Sequence, residues 1–135
     1  MSTSTTRYTM KIYIGIPIID DGITDETPNT SYTLVQIVVP SIAEQLTRVS
    51  GGLTYEICRG TWIQSASEPD AKGPFEGDVE QNVTAWFSIT YLPEVEETIY
   101  ASVQQIMRDT ITKYELPAKY IHVERYTCEA MHFVV

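Results

Sequence analysis

Residues 83–114, VTAWFSITYLPEVEETIYASVQQIMRDTITKY, change their hydrophobic period part-way along. Val83, Ala85, Phe87 and Ile89 alternate with Thr84, Trp86, Ser88 and Thr90, the period-2 pattern of a strand with one face in a core. Beyond Pro93, residues Val95, Ile99, Val103, Ile106 and Thr110 recur at steps of three and four, the stripe of an amphipathic helix. Pro93 suits a first helical position, where a missing N–H costs no bond, and Glu94, Glu96 and Glu97 lie where the helix dipole favours negative charge. The switch predicts a strand that leads directly into a helix from about Pro93 to Tyr114, stopped by the segment Leu116-Pro117-Ala118-Lys119.

The same two periods organise the rest of the chain. Met10, Ile12, Ile14, Ile16 and Ile18 share one phase and predict a first strand, and the turn-rich segment 20–31 follows it with Gly22 and Pro28 as breakers. Val35, Val38, Val39, Ile42, Leu46 and Val49 form a helical stripe that ends at Ser50-Gly51-Gly52. Pro40 lies inside that stripe, so the helix is either kinked there or starts afresh with Pro40 in its first turn. Leu53, Tyr55 and Ile57 alternate with Thr54, Glu56 and Cys58 in a second strand running toward Trp62. Residues 119–135 alternate through Ile121 and Val123, then turn apolar in both phases near Met131 and Phe133, which predicts a fourth strand, bent or broken midway.

The order is β-α-β-β-α-β, an α+β ferredoxin-like arrangement with a four-stranded antiparallel sheet and two helices on one face. We expect one such domain over residues 1–135, with 1–8 flexible and 63–79 a long loop. A chain of 135 residues buries roughly two thirds of its unfolded surface around one core. In this topology the second and fourth strands occupy opposite edges, three strand spacings or about 14 Å apart. Cys58 and Cys128 therefore cannot be joined within one chain, since a disulfide needs Cα atoms within about 7 Å.

Eighteen acidic residues against nine Lys plus Arg give a formal charge of −9, and the basic residues are dispersed. Nucleic-acid binding needs a cationic footprint, so that partner class is not expected. No window approaches the roughly 20 apolar residues of a membrane-spanning helix, and the first residues carry no signal-peptide pattern. A cytoplasmic protein is expected.

If the isoleucine phase of the first strand and the Phe87 phase of the third lie under the helices, the opposite face carries Tyr13, Trp86, Thr84, Ser88 and Glu56. Cys58, Trp62, His122 and Glu124 share that phase. Aromatic rings among polar groups make this face a subunit interface, a ligand platform, or both. Tyr13, Trp86 and His122 are the candidate interface residues. The long last strand adds to the case, because its surplus residues need a partner.

No hydrolase elbow, P-loop, dinucleotide fingerprint or zincin motif occurs. Metal binding is not expected either: Cys128 and His132, four residues apart in a strand, are separated by about 13 Å, while zinc ligands sit about 2.0–2.3 Å from the metal. The remaining chemistry gathers at the second strand's end. Gly60 and Trp62 close that strand, Ser65–Asp78 make an acidic connection too long for a hairpin, and Glu80-Gln81-Asn82 open the third strand. Long connections of this kind are commonly lids or binding loops. Trp62, Glu68, Glu76 and Glu80 thus converge on one end of the sheet, where a ring and carboxylates can receive a planar base or a cation. Tyr55 and Arg59 on the second strand join Trp62 and Glu76 as candidate ligand contacts. A solvated acidic loop beside a tryptophan packed at a subunit boundary is the plainer alternative.

The β-α-β-β-α-β order, the Gly60-Thr61-Trp62 close and the Glu80-Gln81-Asn82-Val83 opening resemble the small phage S-adenosylmethionine lyases. The resemblance implies a homotrimer with active sites between subunits, turning S-adenosylmethionine into methylthioadenosine and homoserine lactone without metal or cofactor. It places Glu80 at the family's essential glutamate and Trp62 where the family has a tyrosine, with a longer Trp62–Glu80 spacing. Two other classes remain open from the residues: a module that binds and sequesters a nucleotide-like ligand unchanged, and a purely structural small oligomer.

Overall fold

Strand pairing follows the hydrophobic phases directly. The structure, a computed structural model, describes residues 3–17, 34–66, 68–118 and 121–135; the turn-rich segment 20–31 and Ile18 lie outside them. Strands β1 (Thr3–Pro17), β2 (Thr54–Ile63), β3 (Val79–Tyr91) and β4 (His122–His132) form one antiparallel sheet in the order β2-β3-β1-β4. Helices α1 (Val39–Ser50) and α2 (Glu96–Lys113) interrupt them in the ferredoxin-like order.

The core is built from one phase of each central strand. Met10, Ile12 and Ile14 of β1 lie opposite Ile89, Phe87 and Ala85 of β3, and all six are buried. Val39, Ile42 and Leu46 of α1 and Ile99, Val103, Ile106 and Met107 of α2 close over them. Helix α2 is fixed to the sheet from its first turn, where the Arg125 Nη1 donates to both Glu96 carboxylate oxygens at 2.7 and 2.8 Å. Pro40 lies in the first turn of α1, the second of the two expected arrangements, after a wider π-type turn over Leu34–Val38. Gly51 ends α1 at φ 88°, a left-handed position glycine adopts without strain, and returns its N–H to the Thr47 carbonyl at 2.7 Å.

Three expectations change. Strand β4 is not broken: its residues pair without a gap from Tyr13↔His122 to Thr3↔His132. That ladder extends β1 back to Thr3, so residues 3–8, expected to be flexible, are held in the sheet. The surplus of β4 is consequently spent inside the chain, and it no longer argues for a neighbouring subunit. The polar run Thr3-Ser4-Thr5-Thr6 hid this strand, since it carries no apolar phase. Third, Tyr55 and Ile57 lie on the helix side of β2 but stay 47% and 37% exposed, because the helices cover β1 and β3 and leave this edge strand open. No described helix is long and apolar enough to cross a membrane.

Candidate functional site

Since strand neighbours in register share a face, the uncovered side of the sheet can be read row by row. Tyr13 of β1 lies between Trp86 of β3 and His122 of β4, with Glu56 beyond Trp86. Cys58 and Gly15 flank Thr84, Gly60 and Pro17 flank Asn82, and Trp62 stands directly opposite Glu80. The sequence phases therefore brought the right residues to this face, including the Trp62–Glu80 pair at its end. Cys58 and Cys128, both free, sit on the two opposite edge strands.

The middle of the face is a connected polar and aromatic layer. Lys11, although opposite Glu124 in register, extends its Nζ over the Trp86 ring at 4.2 Å and lies 5.7 Å from the Tyr13 ring. A desolvated ammonium over indole is an attractive contact. Glu124 is served instead by hydroxyls: Tyr126 donates to its Oε1 at 2.8 Å and Tyr13 to the same atom at 3.0 Å. The His122 Nε2 lies 3.4 Å from the other oxygen. Donation from Tyr126 and then Tyr13 holds the Glu124 carboxyl below the usual carboxylate range, since each bond favours the charged form. The Tyr13 and His122 rings stand 5.5 Å apart. Lys11 and Tyr126 were missed by the sequence reading, although their spacing from Tyr13 and from Glu124 puts them in the same phase.

Two depressions lie at the Trp62 end of the β2–β3 pair, lined by residues of both phases. A shallow depression of 280 Å³ is lined by Arg59, Gly60, Thr61, Gln81 and Asn82. A second of the same volume lies among Thr61, Trp62, Ile63, Ala66, Phe75 and Val79, where the β2–β3 connection folds back. That connection opens with one 3₁₀ turn, Gln64–Ala66, and Ser65 donates to the Glu76 carbonyl at 3.2 Å. Trp62 remains 44% exposed and Glu80 is exposed.

The proposed contacts divide between the two faces. Trp62 and Glu80 are cross-strand partners on the uncovered side. Tyr55 pairs with core residue Phe87 and Arg59 with Val83, so both lie in the helix-side phase and neither shares a face with Glu80. Glu68 and Glu76 are exposed in the connection. Among the described residues no group of three His, Cys, Asp or Glu side chains gathers as a metal site would.

No protein-family model and no curated protein matches this sequence. Solved structures do. A phage SAM lyase in complex with S-methyl-5'-thioadenosine is 12% identical, with a TM-score of 0.50 over 93% of this chain and 90% of that one. A Bacillus cereus protein related to NIF3 is 8% identical over 92% of this chain and 26% of its own, with a TM-score of 0.49. The de novo designed protein Foldit4 is 16% identical over 93% and 97%, with a TM-score of 0.40. At 12% identity, the likeness to the phage SAM lyase shows a shared fold alone.

Proposed function

We propose that the chain is an S-adenosylmethionine lyase that works as a homo-oligomer, a trimer, with its ligand on the uncovered sheet face between subunits. The observation that carries this reading is the pairing of Trp62 with Glu80 on that face, at the two positions which resemble the phage enzymes' site. The overall likeness to a phage SAM lyase is consistent with it.

The reaction is an internal displacement. The substrate's carboxylate oxygen attacks its own γ-carbon, the C–S⁺ bond breaks, and the electron pair leaves with sulfur. The products are neutral methylthioadenosine and homoserine lactone, whose ammonium keeps the remaining positive charge. No proton is transferred and no oxidant is needed, so the protein's contribution is orientation. The sulfonium charge disappears along this path, and an anion beside sulfur would stabilise the substrate more than the transition state. Glu80 is therefore assigned to the α-ammonium, whose charge persists, where it turns the neighbouring carboxylate toward the γ-carbon. Trp62, opposite it, offers a ring face to the sulfonium.

Incubation with S-adenosylmethionine, followed by chromatography and native mass spectrometry, tests this. Methylthioadenosine and homoserine lactone in equal amounts from an oligomer are expected. An unchanged adenosyl compound carried by the protein would replace the lyase by a sequestering module, and no binding at all would leave a structural oligomer.

A further inference from the structure

Two glycines in the middle of strands require an explanation, because a strand interior is weakened by glycine unless something approaches closely. Gly15 and Gly60 are not among the positive-φ residues, so backbone geometry does not demand them. What they provide is space. A Cβ on Gly60 would lie 2.7 Å from Asn82 Oδ1 and 3.2 Å from Thr84 Oγ1. One on Gly15 would lie 3.2 Å from Asn82 Nδ2 and 3.3 Å from Thr84 Oγ1. The Asn82 amide thus lies flat across β3, its oxygen toward β2 and its nitrogen toward β1, and the Thr84 hydroxyl donates to that oxygen at 2.7 Å. Two bare backbone positions and a flat amide make a level floor.

This floor lies between two indoles. Trp86 and the Trp62–Glu80 pair are six residues apart along β3, about 20 Å at the strand rise, and the Thr84 and Asn82 rows fill the interval. Gly60 and Asn82 also border a 280 Å³ depression whose other lining residues, Arg59, Thr61 and Gln81, belong to the helix-side phase. We infer that the Gly15–Asn82–Gly60 floor seats the planar base of the ligand, with the flat Asn82 amide as the surface on which the ring stacks. The Thr84 hydroxyl fixes the amide in that orientation. Resting on the lyase reading, this runs the substrate along the strands, base toward Trp86 and amino-acid end at Glu80.

The test uses S-methyl-5'-thioadenosine, which has the base but no ammonium, in calorimetric titration of the full chain. Asn82→Ala should weaken its binding at least tenfold, and so should Gly15→Val, which fills the floor. Gly60→Ala forces Asn82 to turn. Where that variant fails to fold, Gly60→Ala with Asn82→Ala removes the clash and should also bind at least tenfold more weakly. Folded variants at positions 15, 60 and 82 that bind within twofold of the parent overturn the floor while leaving the lyase reading in place. A parent that binds no methylthioadenosine and turns over no S-adenosylmethionine overturns both.

Discussion

Replacing Glu80 by glutamine keeps the shape of the side chain and removes its charge, so the loss it causes measures how dry the site is. Two unit charges about 4 Å apart attract by about 1 kcal/mol in bulk water and about 4 kcal/mol at an effective dielectric of 20. At 1.36 kcal/mol per decade, these limits are losses of about fivefold and about a thousandfold. In the single chain Glu80 is exposed, which gives the smaller figure. A second subunit closed over the Trp62 end gives the larger, and the proposed assembly therefore predicts a fall in kcat/KM of roughly a hundredfold or more. The split between the two constants says which positive centre is held. Loss of an ammonium contact that orients the nucleophile lowers kcat, whereas loss of a carboxylate beside the sulfonium, which stabilises the ground state more than the transition state, raises KM and kcat together. Steady-state assay of the purified variant, with its oligomeric state confirmed by sedimentation, decides the matter. A loss of fivefold or less in an intact oligomer refutes a covered, charge-orienting Glu80, and a rise in KM without a fall in kcat refutes its orienting role at the ammonium.

Trp86→Asp should abolish assembly and leave a folded chain, since a carboxylate buried at a subunit contact costs several kcal/mol while Lys11, now 4.2 Å from the indole, can pair with it inside the chain; sedimentation showing an unchanged oligomer would move the interface elsewhere. Phe87→Ala, at a fully buried position, should cost about 3–5 kcal/mol and lower the melting temperature on the order of 10–15 °C, measured by calorimetry. The Tyr91 hydroxyl is pushed up to about 12 by burial and then by the nearby Glu96 carboxylate. Its ionisation is resisted in the folded state, so this contribution to stability is intact below pH 10 and is lost as pH rises toward 12. Tyr91→Phe should flatten that alkaline decline in a melting-temperature series, and an unaltered series would show that the decline has another source.

Most of the fold was legible because it depends on period, and period is local. Val83 to Ile89 had to alternate to serve a one-sided core, and Ile99, Val103 and Ile106 had to recur at helical steps to cover it. The register then follows from which phase is buried, which is why Tyr13, Trp86, Glu56 and His122 could be placed on one face without coordinates. Legibility failed where burial failed. Thr3–Thr6 pair with β4 in register, and a polar ladder at the end of a sheet leaves no hydrophobic mark. The Val95 position continues the helical stripe yet is 41% exposed in the 3₁₀ turn that precedes α2, while Met107, one step off the stripe, is buried.

The candidate site exposes a different limit. Tyr55, Arg59, Trp62 and Glu80 are neighbours in strand order, and nearness along two paired strands suggested one cluster. Strand parity separates them: positions 55 and 59 are odd with Val83 and Phe87, positions 62 and 80 even with Trp86. A ligand lying on the Trp62–Glu80 face of one subunit cannot reach that subunit's Tyr55 through the sheet. For all four to touch the same molecule, Tyr55 and Arg59 must come from another copy of the chain, and their exposure on the uncovered edge of β2 leaves them free to do so. This is a sharper demand on the proposed assembly than an aromatic face alone makes. Mixing a Glu80→Gln protein with an Arg59→Ala protein, each impaired when assembled with itself, should then regenerate some wild-type sites, because in a mixed oligomer some faces with Glu80 meet an edge with Arg59. Activity of the mixture above the average of the two parents is the expected result. Activity no higher than that average would mean that Glu80 and Arg59 do not meet at one ligand across subunits.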